Sequence, residues 1–120
     1  MPEAIGTAQR LYAQTGMKPS DMQAAMLYDA FSPVVLMQLE AFGFCKRGEG
    51  KDFVKGGGMD IDGAMPVNTH GGLIAEAYIH GMNSVVEGVR QVRGTSTSQV
   101  ENVQNVLVSS GMAGAIFSRV

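Results

Sequence analysis

At 120 residues and 12.7 kDa the chain is sized for one domain, and a chain of that length buries roughly two-thirds of its unfolded surface, enough for a single core. Apolar residues make up 45% and charged residues 17%, and the net charge of −2 comes without any basic run, which argues against nucleic acid as a partner. The single cysteine, Cys45, rules out an internal disulfide and a cysteine metal cluster, and no apolar run approaches the roughly 18 residues that a membrane span needs.

In chain order, Ala4, Ile5, Ala8, Leu11 and Tyr12 recur at helical spacing and Gly16 follows as a stop, which predicts a first helix over residues 3–15. The compact apolar run Ala24-Ala25-Met26-Leu27-Tyr28 reads as a buried strand. Ser32-Pro33 supplies an N-cap and a first-turn proline for a second helix, with Val35, Leu36, Leu39 and Phe42 on its apolar face and an end near Gly43. Residues 46–63, with Gly48, Gly50 and the Gly56-Gly57-Gly58 run, read as a long loop. Met65-Pro66-Val67-Asn68 reads as a strand start that leads into Gly71-Gly72 and a short helix-like run holding Tyr78 and His80. Met82, Val85, Val86, Val89 and Val92 mark a third amphipathic helix closed by Gly94. After the polar linker Thr95–Gln99, Val103–Val108, the turn Ser109-Ser110-Gly111 and Ala113–Val120 form a β-hairpin. The pattern is α/β, a sheet with helices packed on it. A chain that enters on a helix leaves a βαβ unit without its first strand, so more sequence is expected upstream.

Chemistry-bearing residues are few. Tyr28 stands where a buried strand gives way to a helix, the end of a sheet at which ligands gather. It is open to two readings, a proton donor or acceptor and a half-buried phenol with its hydroxyl satisfied. Asp29 beside it reads as a helix cap. His70 precedes the paired glycines and reads either as a ligand contact or as a turn residue. His80 reads either as a pH-sensitive group or, lacking a partner, as a solvent-facing or capping residue. The two histidines lack ligand spacing, and Asp60 and Asp62 lack the later glutamate of a calcium loop, so no metal site is expected. Cys45 lies past a helix end rather than at a helix N-terminus; Lys46 and Arg47 would lower its pKa, yet an idle thiol fits the position as well. The Gly-x-Ser-x-Gly elbow of a serine hydrolase is absent. The N-terminus lacks the basic and apolar regions of a signal peptide, and the lone thiol fits a reducing, cytoplasmic setting.

Several segments taken together go further. Leu27-Tyr28-Asp29-Ala30-Phe31, Phe42-Gly43-Phe44-Cys45-Lys46-Arg47-Gly48-Glu49-Gly50, Val67-Asn68-Thr69-His70-Gly71-Gly72 and Val106-Leu107-Val108-Ser109-Ser110-Gly111 fall in the order of four thiolase motifs. Nearly the whole chain resembles the C-terminal half of the thiolase superfamily, in its sterol-carrier-protein-X-like and lipid-transfer-protein branch. That resemblance implies a thiolase-like C-terminal domain over residues 1–120 with a mixed sheet, lacking the N-terminal half. It also exposes departures. Tyr78 stands where thiolases carry the histidine that follows Gly-Gly, Tyr28 replaces the asparagine of Asn-Glu-Ala-Phe, and the C-terminal cysteine of the thiolase acid/base is missing.

The resemblance therefore implies retro-aldol cleavage of a steroid- or lipid-derived β-hydroxyacyl-CoA into a ketone and a short acyl-CoA. Tyr28 and Tyr78 would be the acid/base pair with His70 in support, and Asn68, Gly71, Gly72, Ser110 and Gly111 would contact substrate. The CoA thioester would be the substrate and no separate cofactor is implied. A homodimer and a small OB-fold, zinc-ribbon partner protein are further implications. Thiolase-type acyl transfer and a non-catalytic lipid- or acyl-CoA-binding domain are the alternative readings.

Overall fold

A computed structural model describes residues 1–120. Helix α1 (Pro2–Thr15) is followed by a single 3₁₀ turn, strand β1 (Ala24–Leu27), and helices α2 (Ser32–Ala41), α3 (Gly50–Lys55), α4 (Gly72–Ala75) and α5 (Met82–Arg93). Strands β2 (Asn105–Ser109) and β3 (Gly114–Ser118) close the chain as the expected hairpin. The sheet is mixed, in the order β1-β2-β3, with β1 parallel to β2 and β2 antiparallel to β3.

The apolar run of β1 has no polar alternation because both faces of the strand are covered. Ala25 and Leu27 point into a core shared with Ala4 and Ala8 of α1, with Val35 and Leu39 of α2 and with Phe42 at its C-cap. Ala24 and Met26 point the other way, into a second core with Val103, Val106 and Val108 that Val85 and Val92 of α5 help to close. Three layers result, with α1 and α2 on one face of the sheet and α5 on the other. Helix α5 lies close because Gly88 carries no side chain, and a Cβ there would stand 2.7 Å from Val108 Cγ2.

Stop signals act where the sequence places them: Gly16 and Gly94 both adopt the left-handed conformation that ends α1 and α5. Other expectations are corrected. Phe31, in an extended conformation, is the N-cap of α2, so Ser32 lies inside the first turn and makes no capping bond. The segment 46–63 is not wholly loop. The Glu40 carboxylate accepts the Gly50 backbone N–H (3.1 Å), which fixes the start of α3. The strand expected at 65–68 shrinks to one parallel bridge, Ala25 with Val67. Pro66 has no N–H to give, and Asn68 turns the chain away at φ 51°. The run after Gly71-Gly72 is helical only to Ala75, which leaves Tyr78 and His80 in a loop.

On α1, Ile5 faces solvent and Thr7 takes a buried place, donating its hydroxyl to the Met112 carbonyl (2.9 Å). Tyr12 donates to the Phe42 carbonyl (2.8 Å), and burial pushes its phenol up from 10.0 to about 12. The folded state thus holds this proton more tightly than the unfolded chain. The resulting stability is complete below pH 10.0 and is lost as pH climbs towards about 12. Denaturant titrations at about pH 9 and about pH 11 should show a smaller loss of stability in Tyr12→Phe than in the parent. An equal loss in both would remove Tyr12 as a source of the alkaline sensitivity.

Candidate functional site

The carboxyl end of β1 is where the site assembles. Beyond Leu27 the chain still follows β2 for one residue, as Tyr28 N–H donates to the Ser109 carbonyl (2.8 Å). The Tyr28 carbonyl accepts from the buried Gln38 side chain (2.9 Å), so the backbone of this tyrosine is held from both sides.

Segment 67–73 is laid beside it by side-chain bonds. The Asn68 amide accepts from the Leu27 N–H (2.7 Å) and donates to the Leu27 carbonyl (2.9 Å), replacing the missing strand with one residue. Gly71 and Gly72, at φ 94° and 76°, then turn the chain so that Leu73 N–H meets the Asp29 carboxylate (3.2 and 3.3 Å). A Cβ on Gly72 would collide with that same carboxylate, so glycine is required there for two separate reasons. Asp29 is a helix cap as expected, but for α4, across the site, rather than for α2 beside it.

Thr69 is fixed from the opposite side. It donates to Glu87 Oε1 (2.6 Å), which also accepts from Ser96 (2.6 Å) and Gln91 (3.2 Å). Glu87 is a buried carboxylate on α5, and hydroxyl and amide donors with Arg90 at 3.8 Å compensate for its lost water.

These constraints bring the Tyr28 and Tyr78 hydroxyls within 2.8 Å of each other, fifty positions apart in the chain. The Tyr78 phenol is pushed above its ordinary value, first by this hydrogen bond, then by the loss of some hydrating water and by the negative charge of Tyr28 and Asp29 when ionised. Tyr78 therefore stays protonated at neutral pH. Two hydroxyls carry two protons and only one is shared between them, which leaves an O–H to donate outward. The imidazole of His80 packs edge-on against the Tyr78 ring at 5.1 Å. Tyr28 and His80 line an open cleft of about 360 Å³, together with Ser84, Val108, Ser110 and Ala115.

Of the residues singled out in the sequence, Tyr28 and Ser110 line this cleft, and Tyr78 adjoins it through the contact of its hydroxyl with that of Tyr28. Ser110 also pairs its backbone N–H with the Ala113 carbonyl (2.9 Å) to close the hairpin turn. Gly111, at φ 88°, completes that turn by donating to Ser109 Oγ (2.8 Å). Asn68, Gly71 and Gly72 form the scaffold beneath the tyrosines rather than the wall of the cleft. His70 makes no hydrogen bond to either tyrosine, and both of its ring nitrogens are buried without a partner. Cys45 is not activated: burial, Glu40 and Glu49 all push its thiol up, contrary to the lowering expected from Lys46 and Arg47. Sequence reasoning passed over His80 as a site residue, and its spacing of two from Tyr78 was the only available signal.

Residues 2–120 match the family model of the thiolase C-terminal domain-like proteins. The chain is 58% identical over 111 residues to the steroid side-chain-cleaving aldolase of Thermomonospora curvata, covering 92% of this chain and 28% of that protein. It is 52% identical over 111 residues to the 17-hydroxy-3-oxo-4-pregnene-20-carboxyl-CoA lyase of Mycobacterium tuberculosis, covering 92% and 29%. Similarity extends to bovine (Bos taurus) sterol carrier protein 2, at 30% identity over 121 residues, 91% of this chain and 21% of that one. Among solved structures, the Ltp2-ChsH2(DUF35) aldolase superposes with a TM-score of 0.94 at 54% identity, over 99% of this chain and 32% of that one. The chain thus spans less than a third of the length of these relatives.

Replacing Asn68 with Ala strands both polar groups of Leu27 and should lower the unfolding free energy by about 2–4 kcal/mol. Urea midpoints of the two proteins measure this, and coincident midpoints would show that the clamp contributes nothing.

Proposed function

The chain belongs to the thiolase C-terminal domain-like family, and on that premise we propose that it is the C-terminal domain of a retro-aldolase acting on a steroid- or lipid-derived β-hydroxyacyl-CoA. The observation that carries the reading is the 2.8 Å contact between the Tyr28 and Tyr78 hydroxyls at the edge of an open cleft. The names of the two most similar relatives given above, an aldolase and a CoA lyase, support the same class of reaction.

Retro-aldol cleavage removes the proton of the β-hydroxyl, breaks the bond between the α and β carbons, and leaves the electron pair on the thioester enolate. The enolate carbon then takes up a proton, so the enzyme ends as it began. A pair of hydrogen-bonded phenols suits this accounting. One oxygen receives the hydroxyl proton while its own proton passes to the partner, whose proton goes to the enolate. No free phenolate has to persist, which agrees with a Tyr78 pKa displaced upward. Ser110 faces the same cleft and would contact the substrate, while Asn68, Gly71 and Gly72 hold the frame and Gly111 shapes the turn behind Ser110. His70, with both nitrogens unpaired, would find its partner in substrate or in the remainder of the enzyme. Acyl transfer of thiolase type is disfavoured, because Tyr78 stands at the position of the thiolase histidine and the C-terminal cysteine of the thiolase acid/base has no counterpart near Ser109 and Ser110.

The CoA thioester is the substrate, and no other cofactor is invoked. The N-terminal half, a second copy and a small OB-fold, zinc-ribbon partner would complete the enzyme. The paired name of the Ltp2-ChsH2(DUF35) aldolase supports the partner. No helix is long and apolar enough to cross a membrane, and a cytoplasmic setting is part of the proposal.

The test uses the full-length enzyme with a 17-hydroxy steroid acyl-CoA and follows ketone release. Tyr28→Phe and Tyr78→Phe should each lower turnover about 10²–10⁴-fold. Thiolysis of acetoacetyl-CoA without ketone formation, or full turnover in both variants, would overturn the reading.

A further inference from the structure

Tyr78 is carried by a loop with little support of its own. Between α4 and α5 the backbone N–H groups of residues 77–81 find no acceptor. Ala77 and His80, on either side of the tyrosine, lie at φ 30° and 47°, a region that costs non-glycine residues free energy. Residues 77–80 are exposed. A segment of this kind samples many conformations unless something outside it selects one.

The ion pair of Arg90 with Glu76 (3.2 Å) touches the loop, but both side chains are 38% or more exposed, and such pairs stabilise little. Asn83 is different, being 5% exposed. Its Nδ2 donates to the Glu76 carbonyl (2.9 Å) and reaches that of Ala77 (3.5 Å), the two carbonyls directly before Tyr78. Its Oδ1 accepts the Ser84 N–H (3.2 Å) in the first turn of α5. That helix is itself immobilised through the buried contacts of Glu87 and Gln91 with Thr69, Ser96 and Ser98. One buried amide therefore joins the tyrosine loop to a rigid base.

We propose that Asn83 is a positioning residue for Tyr78, fixing the carbonyls before it so that its hydroxyl meets Tyr28. The catalytic consequence rests on the retro-aldolase reading above. Asn83→Asp is the informative variant. It preserves size and the acceptor for Ser84 N–H, and a carboxylate is welcome in the first turn of a helix, but it cannot donate to Glu76 and Ala77.

In the full-length enzyme, Asn83→Asp and Asn83→Ala should lower kcat roughly 10- to 100-fold with KM little changed. In a Tyr78→Phe background the same substitutions should cost less than about twofold, since the group they position is already gone. Parental kcat in Asn83→Asp, or an undiminished loss in the Tyr78→Phe background, overturns the proposal. If Tyr78→Phe alone turns over normally, the retro-aldolase reading fails instead, and the positioning role is judged without activity. The ¹³C-tyrosine resonance of Tyr78, identified by its loss in Tyr78→Phe, should titrate at lower pH in Asn83→Ala, which adds no charge near the phenol, because the hydrogen bond to Tyr28 is loosened. Tyr28, Asp29 and His80 are the titrating groups that face it. An unchanged titration would show that Asn83 does not hold Tyr78 against Tyr28.

Discussion

The bidentate contact between the Asn68 side chain and the Leu27 backbone is the constraint on which the rest of this structure depends. A third parallel strand beside β1 would hold segment 65–68 by a ladder of bonds, but Pro66 and the left-handed Asn68 end that ladder after one bridge. The asparagine amide imitates the next pair of ladder bonds and frees the chain to turn. Everything beyond it, from the paired glycines to the α4 turn and the loop of Tyr78, starts from a point fixed against the same strand that delivers Tyr28. Both tyrosines are thereby referred to one origin, the last residue of β1.

Polar groups replace apolar packing in this part of the molecule. The faces of the sheet are filled by alanine, valine, leucine and methionine, whereas the site is held by Asn68, Asp29, Gln38, Asn83 and Glu87. Apolar contacts are non-directional and tolerate small displacements. Hydrogen bonds fail when an angle or a distance drifts, so they specify a geometry more narrowly. A contact between two hydroxyls at 2.8 Å needs that narrowness.

The three longer helices and the sheet were legible because their signals are local. Apolar spacing marks α1, α2 and α5, glycine marks the ends of α1 and α5, and β1 is an uninterrupted apolar run. Helix α3 was not legible, since its six residues carry no apolar stripe and its start depends on Glu40, ten positions earlier. The strand at 65–68 was misread because apolar residues around a proline say nothing about where the chain turns next. The candidate tyrosines came from the family resemblance, since spacing alone left Tyr28 open between a proton donor and a buried phenol. Asn83 gave no signal at all. Its partners are the carbonyls of a loop that takes left-handed conformations at Ala77 and His80 without glycine to announce them.

The two phenols are chemically identical, and either oxygen can be the donor. Their hydrogen bond thus has two directions of nearly equal intrinsic energy, and reversing it separates no charge. What breaks the symmetry is mechanical: Tyr28 grows from the end of a sheet, whereas Tyr78 hangs on a loop. The polarity of the bond is consequently free to be imposed by whichever group enters the cleft. A donor there turns both hydroxyls one way and an acceptor turns them the other, so the same pair can answer opposite hydrogen-bonding demands without moving a heavy atom.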